Sequence, residues 1–360
     1  MRCLVDSSTF EATIQAGLDH GINHLETARG YGQSEIMLGQ CLSKLQRHGH
    51  LSREQVVITT KIPPHPDAAT MERQIDASLE RLQLDRIDFL AIHGINTSEH
   101  LAWIKADRGC MRAARLAIDD GRLGHIGFST HGSHGVIEAA IQTDQFDFVN
   151  LHYGLFFQHH ASVVRLAASK DLGIFIISPA DKGGKLYAPP AKLKQLCAPY
   201  SPLEVAYRWL LRQPAVTTLS VGPSNPQELS LPLTLAKKIG NLSAQEQAIL
   251  ERLERRKIDA LGGDLCSQCY ECLPCPEAIH IPEVLRLRNL TVAYDMQEFG
   301  QYRYRMFENA GHWFPGRKGN RCTDCGDCLP RCPEKLDIPS LLRDTHSRLN
   351  GPGRRRLWDD

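Results

Sequence analysis

The chain carries no excess charge of either sign: 42 Lys and Arg stand against 41 Asp and Glu over 360 residues. Without a basic stripe there is no case for nucleic acid as a partner, and the short run from Gly353 to Arg356 reads as a solvated tail. Long apolar runs are missing too, so no segment reads as a membrane span. The opening MRCLVDSSTF lacks a basic start followed by an apolar stretch. That argues against secretion and sets the expectation of a reducing cytoplasm for the thiols. Also absent is a Gly-x-Gly-x-x-Gly turn after the first apolar strand run, the main sign of a doubly wound dinucleotide-binding sheet. With 42% hydrophobic content, the chain is long enough to bury one large core and a smaller one.

Cysteine, by contrast, is plentiful. Eight of twelve fall in two runs, Cys266-x2-Cys269-x2-Cys272-x2-Cys275-Pro276 and Cys322-x2-Cys325-x2-Cys328-x3-Cys332-Pro333. Each iron of a [4Fe–4S] cubane takes one soft anionic ligand from the protein, so two groups of four thiolates match two cubanes with none left over. Short C-x2-C steps let a turn aim successive sulfurs at one centre. Four-cysteine zinc sites use the same steps and stand as the alternative, although their two pairs are usually separated by a longer loop. Cys3, Cys41, Cys110 and Cys197 are scattered and read as small core or surface residues. The second run resembles the bacterial two-cluster ferredoxins in its spacing; the first departs by one residue between Cys272 and Cys275. In those ferredoxins the fourth cysteine of each run binds the other run's cluster. The resemblance therefore implies Cys266, Cys269, Cys272 and Cys332 at one cluster, and Cys322, Cys325, Cys328 and Cys275 at the other. The stretch 281–309 between the runs reads as one long helix or two, so a helical ferredoxin-like domain is expected over 259–350, with a tail at 351–360.

The first 240 residues alternate in pattern. Apolar, β-branched runs at 22–28, 56–62, 87–94, 123–130, 146–154, 173–179 and 217–222 read as buried parallel strands, with helical periodicity between them. Ser8-Thr9-Phe10-Glu11 reads as a capping box for a first helix with Ile14 and Leu18 on one face and Gly21 as its stop; Met71, Ile75 and Leu79 repeat the pattern. Such a series implies either a (β/α)8 barrel or a doubly wound sheet, and chemistry just past strand ends favours the barrel, over 1–258.

The residues at those strand ends resemble the aldo-keto reductase family, in the branch with a C-terminal ferredoxin-like domain. The family signature N-x-x-D-T-A-x-x-Y-G-x-S-E is matched from Asn23 to Glu35, with Glu26 in place of the aspartate. The resemblance implies Tyr31 as general acid/base, Lys61 at the next strand end, His93 at the one after, and Glu26 as partner of Lys61. The extra methylene of Glu26 leaves its distance to Lys61 open. The resemblance further implies NADPH or NADH as cofactor, with Ser129, Thr130 and Asn150 at the nicotinamide amide. Ser178, Lys182 and Gly183 would lie along the pyrophosphate, and Gly222, Ser224 and Asn225 would begin the adenine and 2′-phosphate site. There the pattern diverges: Glu228 and Leu231-Pro232 replace expected residues and no Lys or Arg stands near. Ile177 occupies a position that is often aromatic. Family members begin with a strand ahead of the helix that starts here near Ser8, so the first strand is expected to be severely shortened or encoded upstream of Met1, the second being favoured.

The chemistry explains why these residue types occur together. Reducing a carbonyl by hydride builds negative charge on oxygen, which a proton donor must quench. Tyrosine, ordinarily a weak acid with a pKa near 10, becomes a better donor beside an ammonium that stabilises its phenolate. A carboxylate balances that ammonium, and a histidine orients the substrate oxygen. The leading expectation is an NAD(P)H-dependent oxidoreductase acting on a small aldehyde or ketone, or on the alcohol, with an electron-transfer protein as a further partner for the clusters. Hydride carries two electrons and each cluster passes one, and no flavin motif splits the pair. The competing reading is a nucleotide-binding regulator whose clusters sense redox state without turnover; a weaker third is an electron-transfer protein on a degenerate barrel.

Overall fold

The computed structural model describes residues 6–238 and 240–353. In chain order the elements are α1 (Ser7–Asp19), β1 (His24–Glu26), α2 (Ser34–Arg47), β2 (Val57–Ile62), α3 (Ala68–Leu82), β3 (Ile87–His93), α4 (Ser98–Lys105), α5 (Cys110–Asp119), β4 (Leu123–Ser129), α6 (His134–Ile141), β5 (Phe148–Leu151), α7 (Ala161–Ser169), β6 (Gly173–Ile177), α8 (Ala191–Cys197), α9 (Pro202–Leu211) and β7 (Thr218–Ser220). They continue as α10 (Ser230–Ala236), α11 (Ala244–Leu261), α12 (Ile281–Tyr294), α13 (Gln297–Tyr304) and α14 (Ile338–Leu349). The chain divides into two compact units. One comprises Met1–Tyr153, His160–Pro179 and Gln213–Ile239; the other comprises Gly154–His159, Ala180–Arg212 and Gly240–Asp360.

In the first unit all seven sequence-predicted strands form, in the order β1 to β7, each parallel to its neighbour. They curl into a nearly closed barrel in which, among the described residues, no ladder joins β7 to β1. The expected shortened first strand falls on residues 1–5, outside the described residues, as does Cys3; so does the tail beyond residue 353. The barrel interior is filled by rings. Phe148 and Phe175 stack at 4.9 Å, Phe89 lies 5.4 Å from Phe148, and His24 packs edge-on to Phe175 at 5.4 Å. Only glycine fits at Gly127, where a Cβ would stand 2.5 Å from the Phe148 ring. Helices cover the strands with one apolar face each; Met71, Ile75 and Leu79 of α3 are buried as their spacing predicts. The first helix is capped differently from the sequence expectation. Asp6, not Ser8, is the N-cap: its carboxylate accepts from the Thr9 N–H at 2.9 Å and also takes both the Ser8 and Thr9 hydroxyls. A carboxylate accepts at two oxygens and favours a helix N-terminus, so it outcompetes a hydroxyl for the orphan N–H groups.

The second unit is helical, with an extensive core. The stretch 281–309 contains two helices, α12 and α13, because Asp295 turns into the left-handed region at φ 57° between them. Helix α12 is buried nearly all round, which accounts for its two internally matched charges: Arg286 holds Glu283 with two bonds of 2.8 and 2.6 Å. Cys272 and Cys328 belong to this core, with Cys266, Cys275, Cys322 and Cys332 packed against it. No helix of the described residues is long and apolar enough to cross a membrane.

Candidate active site and cluster ligands

The strand register brings the predicted catalytic residues to one end of the barrel. Glu26 pairs with Thr59, two residues before Lys61, and His93 pairs with Ser129, which pairs with Asn150. At their centre is Lys61, a lysine only 2% exposed. Its ammonium ion-pairs with the Glu26 carboxylate, donates to the Thr27 carbonyl at 3.1 Å and bonds to the Tyr31 oxygen. The Tyr31 ring centroid lies 5.2 Å from Lys61 Nζ, and the His93 ring meets it edge-on at 5.7 Å. The four residues therefore form a chain of contacts from Glu26 through Lys61 and Tyr31 to His93, and the extra methylene of Glu26 has not broken its contact with Lys61.

The electrostatics follow from burial and partners. Burial alone would raise the Glu26 carboxyl, but the Lys61 charge and hydrogen bond, with help from the Ser220 hydroxyl, outweigh it and hold the group below the usual carboxylate range. For Lys61, burial works to lower the pKa, and the charges of Glu26 and Tyr31 overcome it, so the group is raised and remains an ammonium.

Two braces on Glu26 were not legible in the sequence. Ser220, at the end of β7, donates its hydroxyl to Glu26 Oε2 at the end of β1. Asn150 Nδ2 donates to Glu26 Oε1 at 3.2 Å. The carboxylate accepts only, so it fixes the orientation of the amide, and Asn150 Oδ1 is left buried and unpaired. An orphaned acceptor at this position suits the N–H2 of a nicotinamide carboxamide.

The other expected cofactor residues are more dispersed. Ser129 Oγ accepts from Gly94 N–H at 3.0 Å and keeps its own proton to donate. The Thr130 hydroxyl is engaged twice, donating to Ile95 O at 2.8 Å and accepting from Gly132 N–H at 2.9 Å. Ser178 follows β6 in the left-handed region at φ 50°, while Lys182 and Gly183 lie in the next turn, which belongs to the second unit. After Gly222, Ser224 N–H donates to Glu228 Oε2 at 2.9 Å and Asn225 Oδ1 caps Glu228 N–H at 3.1 Å. The signature's Glu35 is a strut: 2% exposed, it accepts from Thr60 and from Arg81, each at 2.6 Å.

In the second unit the two cysteine runs approach one another, and Cys272 of the first bears on Cys328 of the second. The thiols whose charges bear on Cys266 are Cys269 and Cys332, from the other run. Those that bear on Cys328 are Cys322, Cys325 and Cys275. A recess is lined by Cys275, Cys322, Cys325 and Cys328 together. Burial pushes the Cys266 and Cys272 thiols up to about 11 and about 12, so both would bind metal with release of a proton. Among the described residues no three His, Cys, Asp or Glu side chains converge as ligands of a single ion would. A cubane asks for something else, one thiolate on each of four irons around a cluster core, and the four thiols that line one recess are of that donor type. Cys41, Cys110 and Cys197 are buried, with burial raising each thiol.

A parallel barrel with an acid, an ammonium, a phenol and an imidazole at one end, followed by a cysteine-rich helical domain, defines an oxidoreductase that carries an iron–sulfur domain. Residues 4–255 match the Aldo/keto reductase family and residues 265–336 match a 4Fe-4S dicluster domain. The chain belongs to the aldo/keto reductase family of NAD(P)H-dependent oxidoreductases. Among relatives, it is 23% identical over 269 residues to the uncharacterized oxidoreductase YrpG of Bacillus subtilis, covering 62% of this chain and 81% of that protein. The fold is similar to aldo-keto reductase AKR11C1 from Bacillus halodurans in its holo form, with TM-score 0.59 and 20% identity over 70% of this chain and 89% of that one. It is also similar to an aldo/keto reductase from Klebsiella pneumoniae solved with NADP and acetate, with TM-score 0.56 and 21% identity over 69% and 85% of the two chains.

Proposed function

We propose that the protein reduces a small aldehyde or ketone with NADPH or NADH, or oxidises the corresponding alcohol, and that Tyr31 is its general acid/base. The observation that carries this reading is the buried ammonium of Lys61, held at once by Glu26, Thr27 O and Tyr31. When bound, the nicotinamide supplies or accepts the hydride. The side chains handle the rest. Lys61 stabilises the phenolate left when Tyr31 gives its proton to the carbonyl oxygen, Glu26 keeps Lys61 charged and in place, and His93 hydrogen-bonds the same substrate oxygen. Asn150 Oδ1 and the Ser129 hydroxyl offer the nicotinamide amide an acceptor and a donor. NADP in the Klebsiella pneumoniae neighbour supports the dinucleotide class, and both dinucleotides remain candidates.

The crossed cysteine groups support two [4Fe–4S] clusters, with Cys266, Cys269, Cys272 and Cys332 on one and Cys275, Cys322, Cys325 and Cys328 on the other. Each passes single electrons, and their natural exchange is with an electron-transfer protein rather than with hydride in the barrel. Anaerobically purified protein, with iron and sulfide counted, is to be assayed with NADPH and NADH against a panel of aldehydes and ketones. Consumption of cofactor matched by alcohol is expected. Tight cofactor binding with no carbonyl consumed would instead favour a redox-sensing regulator.

A further inference from the structure

The two cysteine runs and the segments that follow them fold alike, so positions in one have counterparts in the other. Gln268 and Asp324, each two residues past the first cysteine of its run, enter the left-handed region at φ 59° and 57°, and each gives its backbone N–H to that cysteine's thiol. Tyr270 and Gly326 follow at φ 68° and 81°, and their carbonyls accept from the N–H groups of Leu273 and Leu329 at 3.1 and 3.0 Å. Past the last cysteines, Ala278 and Lys335 share φ 54°, and Ile281-Pro282 and Ile338-Pro339 open α12 and α14 behind the caps His280 and Asp337.

Within this correspondence the first run departs at two positions that touch each other. Glycine takes φ 81° without steric penalty, and a Cβ at Gly326 would meet nothing within 4 Å. The first run instead places a tyrosine in the same left-handed turn, a conformation that bulky residues rarely adopt and that persists only where surrounding contacts hold it. Those contacts are rings. His159 stacks on Tyr270 with centroids 3.8 Å apart and planes at 15°, and His280 meets Tyr270 edge-on at 5.7 Å. His280 is the second departure: the Asp337 carboxylate caps α14 at 3.2 Å, whereas the imidazole of His280 caps α12 at 3.3 Å, a residue type seldom found at a cap. All three rings belong to the second unit, and the charges of Cys266 and Cys272 bear on the Tyr270 hydroxyl.

We propose that His159, Tyr270 and His280 form a screen of rings that keeps solvent from the centre held by the first run, and that the centre of the second run, beside Gly326, is where single electrons pass to and from a carrier protein. The turn itself does not need the Tyr270 ring, since Gly326 makes the same turn with no side chain at all. What the ring adds is apolar cover between two cysteines, Cys269 and Cys272. The second run has the opposite character. Gly326 lines the recess shared by Cys275, Cys322, Cys325 and Cys328 and carries nothing to close it. Solvent exposure is one of the properties by which a protein makes two clusters of one kind behave differently. This assignment rests on the reading that each run holds a [4Fe–4S] cluster.

The test is iron release to a strong chelator under argon, from the holoprotein and its variants, with iron, sulfide and melting temperature recorded for each. The parent should hold about eight irons and release them in two phases of about equal size. Tyr270→Gly and Tyr270→Asn suit the left-handed turn but lack the ring, so in both the slow phase should quicken by about tenfold, the scale of one stacked aromatic contact, while the fast phase is unchanged. Tyr270→Phe keeps the ring and should match the parent. Cys325→Ser should spoil the fast phase and spare the slow one. The screen alone is overturned by a single phase in a parent of full iron content, by a slow phase unmoved in both ring-less variants, or by both phases quickening alike. Tyr270→Phe as fast as Tyr270→Gly, or loss of the slow phase in Cys325→Ser, overturns it equally. Zinc in the parent, or iron well below about eight atoms, overturns the cluster reading and the screen with it.

Discussion

Breaking the Glu26–Lys61 pair should cost far more than removing it. Lys61 is 2% exposed and the Glu26 side chain 15%, so either partner left alone is a charge with little water to solvate it. Glu26→Gln keeps the shape and the Ser220 and Asn150 neighbours but strands the ammonium, and Lys61→Met strands the carboxylate; each should cost about 3–5 kcal/mol. For a domain of this size that is a fall of about 10 °C in melting temperature, at about 2–4 °C per kcal/mol. The double variant Glu26→Gln/Lys61→Met strands nothing and should melt above either single one. The pH dependence has a definite sign. The carboxyl is held below its ordinary value, so its contribution is present above about pH 4.3 and lost as acid protonates it; the lysine is raised, so its contribution is present below about pH 10.4 and lost as base removes its proton. In Glu26→Gln, burial acts on Lys61 with less opposition, and stability should rise with pH through the alkaline range. Calorimetry of the four proteins at three pH values reads all of this. Additive losses in the double variant would refute the pair as a coupled unit.

Other consequences concern the cofactor and the clusters. Asn150→Leu removes the orphaned acceptor, so cofactor affinity should fall by about tenfold, on the order of one hydrogen bond, while iron content is unchanged. Unchanged affinity by titration would remove Asn150 from the nicotinamide site. Anaerobic protein should contain about eight iron atoms with matching sulfide, from two cubanes. Zinc in their place would contradict the cluster assignment. Crossed ligation predicts that Cys275→Ser perturbs the same paramagnetic signal as Cys328→Ser, whereas Cys332→Ser perturbs the one shared with Cys266→Ser. Electron paramagnetic resonance of the reduced variants decides, and pairing by run instead of across runs would refute the crossing.

Much of this site could be read from sequence, for reasons of locality. Lys61 and His93 follow apolar runs that become buried parallel strands, and strand ends in such a barrel share one face. The signature from Asn23 to Glu35 spans one strand, one turn and one helix start, so its spacing survives folding. The two cysteine runs are likewise short, and the crossing of Cys275 and Cys332 followed from resemblance alone. What sequence did not reveal depends on long separations. Ser220 braces Glu26 from 194 residues away, in a strand with nothing but a common hydroxyl to mark it. Asn150 acts on both Glu26 and an empty direction, which only the orientation of its amide discloses. The loop after β5 reads as a barrel loop by position, yet its packing partners are Arg286 and Tyr270. At the first helix, Asp6 took the cap expected of Ser8 because a nearby carboxylate is the better acceptor.

The central claim is that hydride chemistry resides in Glu26, Tyr31, Lys61 and His93 and passes no electrons through the clusters. Its most direct test is single-turnover hydride transfer in Tyr31→Phe and Cys325→Ser, followed at the nicotinamide absorbance in iron-counted, folded samples. Tyr31→Phe should slow the step by about two orders of magnitude or more with cluster absorbance unchanged. Cys325→Ser should damage one cluster and leave the step intact at saturating cofactor. Loss of hydride transfer in Cys325→Ser at unchanged melting temperature and saturating cofactor, or full transfer in Tyr31→Phe, would contradict the account.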